Sequence, residues 1–190
     1  LLSALTAAQI AGLASTSVAA LGAGQLAALS TAQVTALSTS GVSGLGATQL
    51  GALSNAQLGV LTAPQLAALS TTALSGLSLG VIGALSTTQL GALSATGAGA
   101  LSTSVIAGLN QTQLGALTGA EVSGLTSAQV AALSTTQLSS LTNAQISALS
   151  ATGVSGIGAA QIGALSTAQL SALSPTQMGA LSGTAIAGLS

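Results

Sequence analysis

The chain repeats itself every eight residues along its 190-residue length. Leucine occurs at residue 5 and at every eighth residue up to residue 189, and only Ile157 departs from this series. A second large apolar residue follows each leucine by five, and only Ala98 in that series is small. Numbered from its leucine, the octad has the consensus Leu-Ser/Thr-x-x-Gln-Leu/Ile/Val-x-Ala/Gly. Because the register never slips, the sequence predicts one repeat array over residues 1–190, which we interpret as a segment of a longer repetitive protein.

Each octad contains the signal of a helix start. If the Ser or Thr at position two is the N-cap, the Gln at position five is the third helical residue, and the two can form a capping box. The large apolar residues at positions one and six then flank the first helical turn as a hydrophobic staple. One octad with the complete set is formed by Leu29, Ser30, Gln33 and Val34. The sequence therefore predicts one short helix per octad, ending near the next leucine.

The two prolines and the small residues at position eight fit this scheme. Pro175 falls at the first helical position and Pro64 at the second, where a missing N–H costs little. Helices this short are unstable alone, so they must pack on their neighbours. Ala or Gly at position eight allows the backbones to approach closely. We therefore predict an all-α fold, a repeat solenoid of very short helices with positions one and six turned inward.

A β-solenoid is the alternative fold. Positions one and six have opposite parity, so a flat strand cannot direct both to the same face. Ala, Leu and Gln favour helices. The Val, Ile, Thr and Gly content nevertheless keeps the β-solenoid open.

Several octads depart from the consensus at position five. The glutamine is replaced in the octads that contain Ser17, Gly41, Ala73, Val81, Gly97, Val105, Gly153 and Ala185. Residues 40–47 and 152–159 are nearly the same stretch, which indicates duplication with drift, or else a bend or a contact where another backbone approaches closely. Glu121 is interpreted as a glutamine substitute in a capping box, and Met178 as a core residue. The glutamine rows could form ladders between repeats or contacts to another chain.

The composition excludes most kinds of chemistry. The chain has no Lys, Arg, His, Cys or aromatic residue, and Glu121 is its one charged side chain. Acid–base catalysis, an activated serine, a zinc site and phosphate recognition all need groups that this chain lacks. We therefore predict no enzyme, no catalytic, cofactor-binding or metal-binding residues, no cofactor and no nucleic-acid partner. Polar residues interrupt every octad, so no transmembrane segment is predicted.

Two octads carry a resemblance to known repeats. The stretches Leu133–Leu138, Leu-Ser-Thr-Thr-Gln-Leu, and Leu165–Leu170, Leu-Ser-Thr-Ala-Gln-Leu, resemble octapeptide low-complexity tracts of large bacterial secreted and cell-surface, adhesin-like proteins. The resemblance implies an extracellular or cell-surface location and a role as spacer or filament. It implies no site residues.

These observations lead to three functional hypotheses. The first is a structural protein that self-associates into an extracellular filament, sheath or stalk through lateral and end-to-end contacts, since a net charge of −1 does not keep copies apart. The alternative is a surface- or ligand-binding module, an adhesin or a binder of ice or glycan, that uses a regular Ser/Thr/Gln face. A membrane-associated amphipathic array is disfavoured because Lys, Trp and Tyr anchors are absent.

Overall fold

The structure, a computed structural model, describes residues 2–189. Across these residues it contains 23 short α-helices, a 3-10 helix at Leu2–Ala4 and another at Ala187–Leu189, and no strand. The all-α prediction is confirmed and the β-solenoid alternative is wrong. Leu1 and Ser190, the ends of the predicted array, lie outside the described residues.

The chain divides between Leu93 and Ser94 into two compact units. The helices of the first unit are α1 Ala7–Ala11, α2 Ser15–Ala19, α3 Ala23–Ala27, α4 Thr31–Ala36, α5 Thr39–Val42, α6 Ala47–Gly51, α7 Asn55–Gly59, α8 Ala63–Ala67, α9 Thr71–Ser75, α10 Leu79–Gly83 and α11 Thr87–Leu90. Those of the second unit are α12 Ala95–Ala100, α13 Thr103–Gly108, α14 Gln111–Gly115, α15 Gly119–Ser123, α16 Ser127–Ala132, α17 Thr135–Ser139, α18 Asn143–Ala148, α19 Ala151–Val154, α20 Ala159–Gly163, α21 Thr167–Ser171, α22 Pro175–Ala180 and α23 Gly183–Ile186.

The helices begin where the capping pattern predicts. In α4, the Ser30 hydroxyl accepts a hydrogen bond from the Gln33 N–H at 3.2 Å, and the Gln33 Oε1 accepts one from the Ser30 N–H at 2.8 Å. The same reciprocal pair starts α1, α7, α11, α14, α16, α17, α18, α21 and α22. Pro64 is the second residue of α8 and Pro175 is the first residue of α22, so both proline predictions are confirmed.

Each helix ends one to three residues before the next position-one residue, and the junction after α4 shows how the chain is redirected. After α4, the Leu37 N–H donates to the Val34 carbonyl at 3.2 Å, and Leu37 has φ −56° and ψ 130°. Ser38, the next N-cap, has φ −68° and ψ 158°. No glycine of the described chain has a positive φ. The junctions therefore need no left-handed residue, and the glycines must be present for another reason.

Within each unit the helices stack as turns of a solenoid. In the first unit α1 packs against α4, α2 against α5 and α5 against α8; in the second, α12 packs against α15, α13 against α16 and α20 against α23. The glutamine hydrogen bonds between turns join residues 28 to 31 apart, and that of Thr35 to the Val60 carbonyl joins residues 25 apart. One turn therefore contains more than three and fewer than four octads, so each helix is staggered over the turn before it. The predicted helical solenoid is confirmed in both units.

The two large apolar positions fill the interior of the turns. Position six is at most 2% exposed from Ile10 to Ile162, and position one is at most 9% exposed from Leu29 to Leu181. Position four is exposed in every described octad. Met178, predicted to be a core residue, is only half-buried. Apart from such residues near the ends of the described range, the inward orientation of positions one and six is confirmed.

Some of the glycines at position eight lie directly against the backbone of another turn. A Cβ added to Gly156 would lie 2.7 Å from the carbonyl carbon of Ser127, which is 29 residues earlier. The same close approach joins Gly44 to Ser15, Gly124 to Ala95 and Gly188 to Ala159. Because backbone atoms cannot rotate away as a flexible side chain can, no side chain fits at these positions. The predicted close approach of backbones at position eight is confirmed there.

Replacing Gly156 by alanine should destabilise the protein by about 1–3 kcal/mol, because the added methyl group must displace backbone in a packed turn. Gly179, in the interior of α22, has no atom within 4 Å of the place that an added methyl group would occupy, so it provides the matched control. Gly179→Ala should stabilise by about 0.5–1 kcal/mol, because alanine loses less entropy in a helix. Denaturant unfolding followed by circular dichroism measures both. Equal effects of the two substitutions would contradict the packing described here.

Candidate functional site

The side chain of the glutamine at position five joins each helix to the turn before it. Gln57, 3% exposed, accepts a hydrogen bond on Oε1 from the Ser54 N–H at 2.8 Å. Its Nε2 donates to the Leu26 carbonyl at 2.9 Å and to the Leu29 carbonyl at 2.8 Å. One side chain therefore caps its own helix and also binds two carbonyl groups at the C-terminal end of a helix one turn earlier.

This bridge recurs with the same geometry in both units. The Nε2 donates to carbonyl groups 28 and 30 or 31 residues earlier, at 2.6–3.2 Å, in Gln33, Gln49, Gln65, Gln89, Gln129, Gln137, Gln145, Gln161, Gln169 and Gln177. Most of these side chains are buried. The sequence left open whether the glutamines contact other repeats or another chain. The bridges are contacts between repeats of one chain.

Only a primary amide can pair with all three backbone groups that face this position. The bridge needs an acceptor for the N-cap N–H and two donors for the carbonyl groups, which is the inventory of a primary amide. Leaving a buried polar group without a partner costs about 1–3 kcal/mol. The recurrence of glutamine at position five therefore has a physical cause within the turns.

Where glycine replaces the glutamine, the backbones themselves come together. A Cβ added to Gly41 would lie 3.1 Å from the Leu13 carbonyl oxygen, and one added to Gly153 would lie 3.1 Å from that of Leu125. Both carbonyl groups belong to position one, 28 residues earlier, where a glutamine amide would otherwise donate. The Ser38 hydroxyl still caps its helix by accepting from the Gly41 N–H at 3.0 Å. The close-approach interpretation of the twin stretches is confirmed.

Glu121 is part of a cap. It is fully buried, and its Oε2 accepts a hydrogen bond from the Thr118 N–H at 2.7 Å. Its interpretation as a glutamine substitute in a capping box is confirmed. Since it is the chain's one charged side chain, the outer surface carries no titratable side chain.

The outer surface is formed mainly by positions two, three, four and seven. At position four, the residues are Ala, Gly, Ser, Thr and Pro in no regular order. Leu79, 42% exposed, is the one large apolar side chain displayed between the two end turns of the described range. The described residues form no pocket, and none of their helices has the length and apolar character needed to cross a membrane.

Comparison with known proteins gives one similarity. A family model described as the ALTTAQ repeat matches residues 18–55 and 154–183. The chain is a repeat protein. No curated protein and no solved structure matches it. The resemblance to adhesin-like bacterial tracts stays a prediction.

Replacing Gln129 by glutamate should destabilise the protein by about 3 kcal/mol or more, because a buried carboxylate would face two carbonyl oxygens that now accept hydrogen bonds. Gln129 is 1% exposed and donates to the Ala98 and Leu101 carbonyls at 2.9 and 2.7 Å. Gln9 is exposed and makes only the capping half of the bridge within the described chain, so Gln9→Glu should change stability by less than about 0.5 kcal/mol. Thermal and denaturant unfolding measure the difference. If both variants were equally stable, the bridge would contribute nothing.

Proposed function

We propose that this chain is a structural protein without catalytic activity, which self-associates into an extracellular filament, sheath or stalk. One observation carries the proposal: the leucine, the second apolar residue and most of the glutamines of the octad are directed inward, while the exposed residues are small or uncharged. Leucine, the second apolar residue and glutamine all serve the stacking of turns. Regularity of this kind suits a structural protein that is lengthened by adding further turns of the same kind.

The surface chemistry supports association with other copies. No charged side chain is exposed, so nothing on the outer surface repels another copy of the chain. The exposed residues are mainly Ala, Gly, Ser and Thr, which lose little side-chain entropy when they are covered. Lateral contacts between copies of the chain therefore carry a low cost in side-chain entropy.

A ligand-binding face of Ser, Thr and Gln is the alternative. Such a face needs hydroxyl and amide groups at a constant spacing on the outside. Most position-five glutamines are buried in bridges, and Thr16 is followed at position four by Gly24 and Ala32. The regular hydroxyl groups at position two are exposed, but most of them cap their own helices, as Ser54 and Ser134 do. These observations favour the structural role over the binding role. An adsorption assay on ice and on immobilised glycans distinguishes the two hypotheses.

The purified protein should form elongated assemblies whose amount rises with protein concentration. Negative-stain electron microscopy shows their shape, and sedimentation velocity measures the fraction assembled. Raising the salt concentration should have little effect on assembly, because no exposed charges are available to be screened. Monodisperse monomers at every concentration would contradict the proposal.

A further inference from the structure

The octad that begins at Leu109 has the one asparagine that the chain places at position two. Elsewhere this position holds Ser, Thr, Gly or, once, Ala. Asn110 and the two residues after it read Asn-Gln-Thr, which is the Asn-X-Ser/Thr pattern of an N-glycosylation acceptor. Asn55 and Asn143, the other asparagines of the chain, are each followed two residues later by glutamine. The pattern therefore occurs once in the array.

The structure presents the whole pattern to solvent. Asn110, Gln111 and Thr112 are all exposed. Asn110 lies in the extended junction before α14, with φ −77° and ψ 169°, and Thr112 is the second residue of that helix. The pattern requires the asparagine amide and the hydroxyl group two residues later, and both lie on the outer surface. Gly115, towards the other end of α14, is exposed and has no atom within 4 Å of the place that an added Cβ would occupy, so the surface beside the pattern is open.

The helix cap determines which atom of the Asn110 amide faces outward. Its Oδ1 accepts a hydrogen bond from the Gln113 N–H at 2.9 Å, and the Gln113 Oε1 accepts one from the Asn110 N–H at 3.0 Å. The acceptor oxygen and the donor nitrogen are different atoms of one planar amide, so an oxygen that faces the helix start directs Nδ2 away from it. Within the described chain Nδ2 donates to no acceptor. A substituent on Nδ2 therefore leaves the cap of α14 intact.

We propose that Asn110 is an N-glycosylation site, to which a glycosyltransferase adds a sugar from a glycosyl diphosphate. In this transfer a bond forms between Nδ2 and the anomeric carbon, and the bond between that carbon and the diphosphate oxygen breaks. The electron pair of the broken bond leaves with the diphosphate, and one Nδ2 proton passes to a base of the transferase. This chain supplies the acceptor alone.

The inference rests on the proposed extracellular location, because the pattern is read as a glycosylation acceptor in secreted proteins. It also gives α14 a role that the other helices lack. An attached glycan is bulky and solubilising, so it keeps other copies of the chain away from this part of the surface. Self-association then uses the parts of the surface that carry no sugar.

Mass spectrometry of the protein from its natural source tests the proposal. Trypsin has no site within the chain, which lacks Lys and Arg, but a glutamate-specific protease cuts the unfolded chain after Glu121. We expect the fragment that ends at Glu121 to carry the added mass of a sugar, and tandem mass spectrometry to place that mass on Asn110. An unmodified Asn110 in protein recovered outside the cell would overturn the inference and leave the proposed function standing. Protein found only inside the cell would overturn the proposed location as well.

Four variants made in the same host separate the pattern from other effects. Asn110→Ser removes the acceptor and installs the commonest cap residue of position two, so the sugar should be lost while the helical circular dichroism spectrum is kept. Thr112→Ala keeps Asn110 and should also lose the sugar, whereas Thr112→Ser keeps the pattern and should retain it. Asn143→Ser, at an exposed asparagine outside any such pattern, is the matched control and should leave the added mass unchanged. A Thr112→Ala chain that carries the sugar to the parent's extent would overturn the assignment.

Discussion

The whole structure depends on how the backbone polar groups of very short helices find partners. A helix of four to six residues has almost no internal hydrogen bonds, so nearly all of its N–H and C=O groups belong to its ends. The glutamine at position five binds groups at both kinds of helix end. Its oxygen accepts from an N–H at the start of its own helix, and its nitrogen donates to carbonyl groups at the end of another. The leucines remove water from around these bonds. Hydrogen bonding and apolar burial therefore occur in the same contact between turns.

The local part of this arrangement could be predicted from the sequence. The capping box, the helix boundaries and the positions of Pro64 and Pro175 depend on groups within eight residues of each other. The destination of the glutamine nitrogen could not be predicted in the same way. It depends on the number of octads in a turn, which follows from the angles between helices, and two extended residues at each junction set those angles. A pattern with one period cannot reveal a second, longer period.

The glycine octads show that the contact between turns matters more than the residue that makes it. At Gly41 and Gly153 the amide is gone, and the backbone itself lies against the carbonyl group that an amide would bind. At position eight, Gly44 and Gly156 also lie directly against the backbone of another turn. The sequence shows that these stretches are unusual, but duplication and the close approach of another backbone explain them equally well. A missing side chain alone does not reveal which group occupies the space. The three-dimensional stacking supplies that information.

A turn built in this way is complementary to any other turn of the same kind. Most contacts between turns use the same kinds of donor, acceptor and apolar side chain, so the stability of such an array is a sum of similar nearest-neighbour terms. The covalent link between successive turns holds the next turn nearby. It does not change which donors, acceptors and apolar side chains meet between the turns.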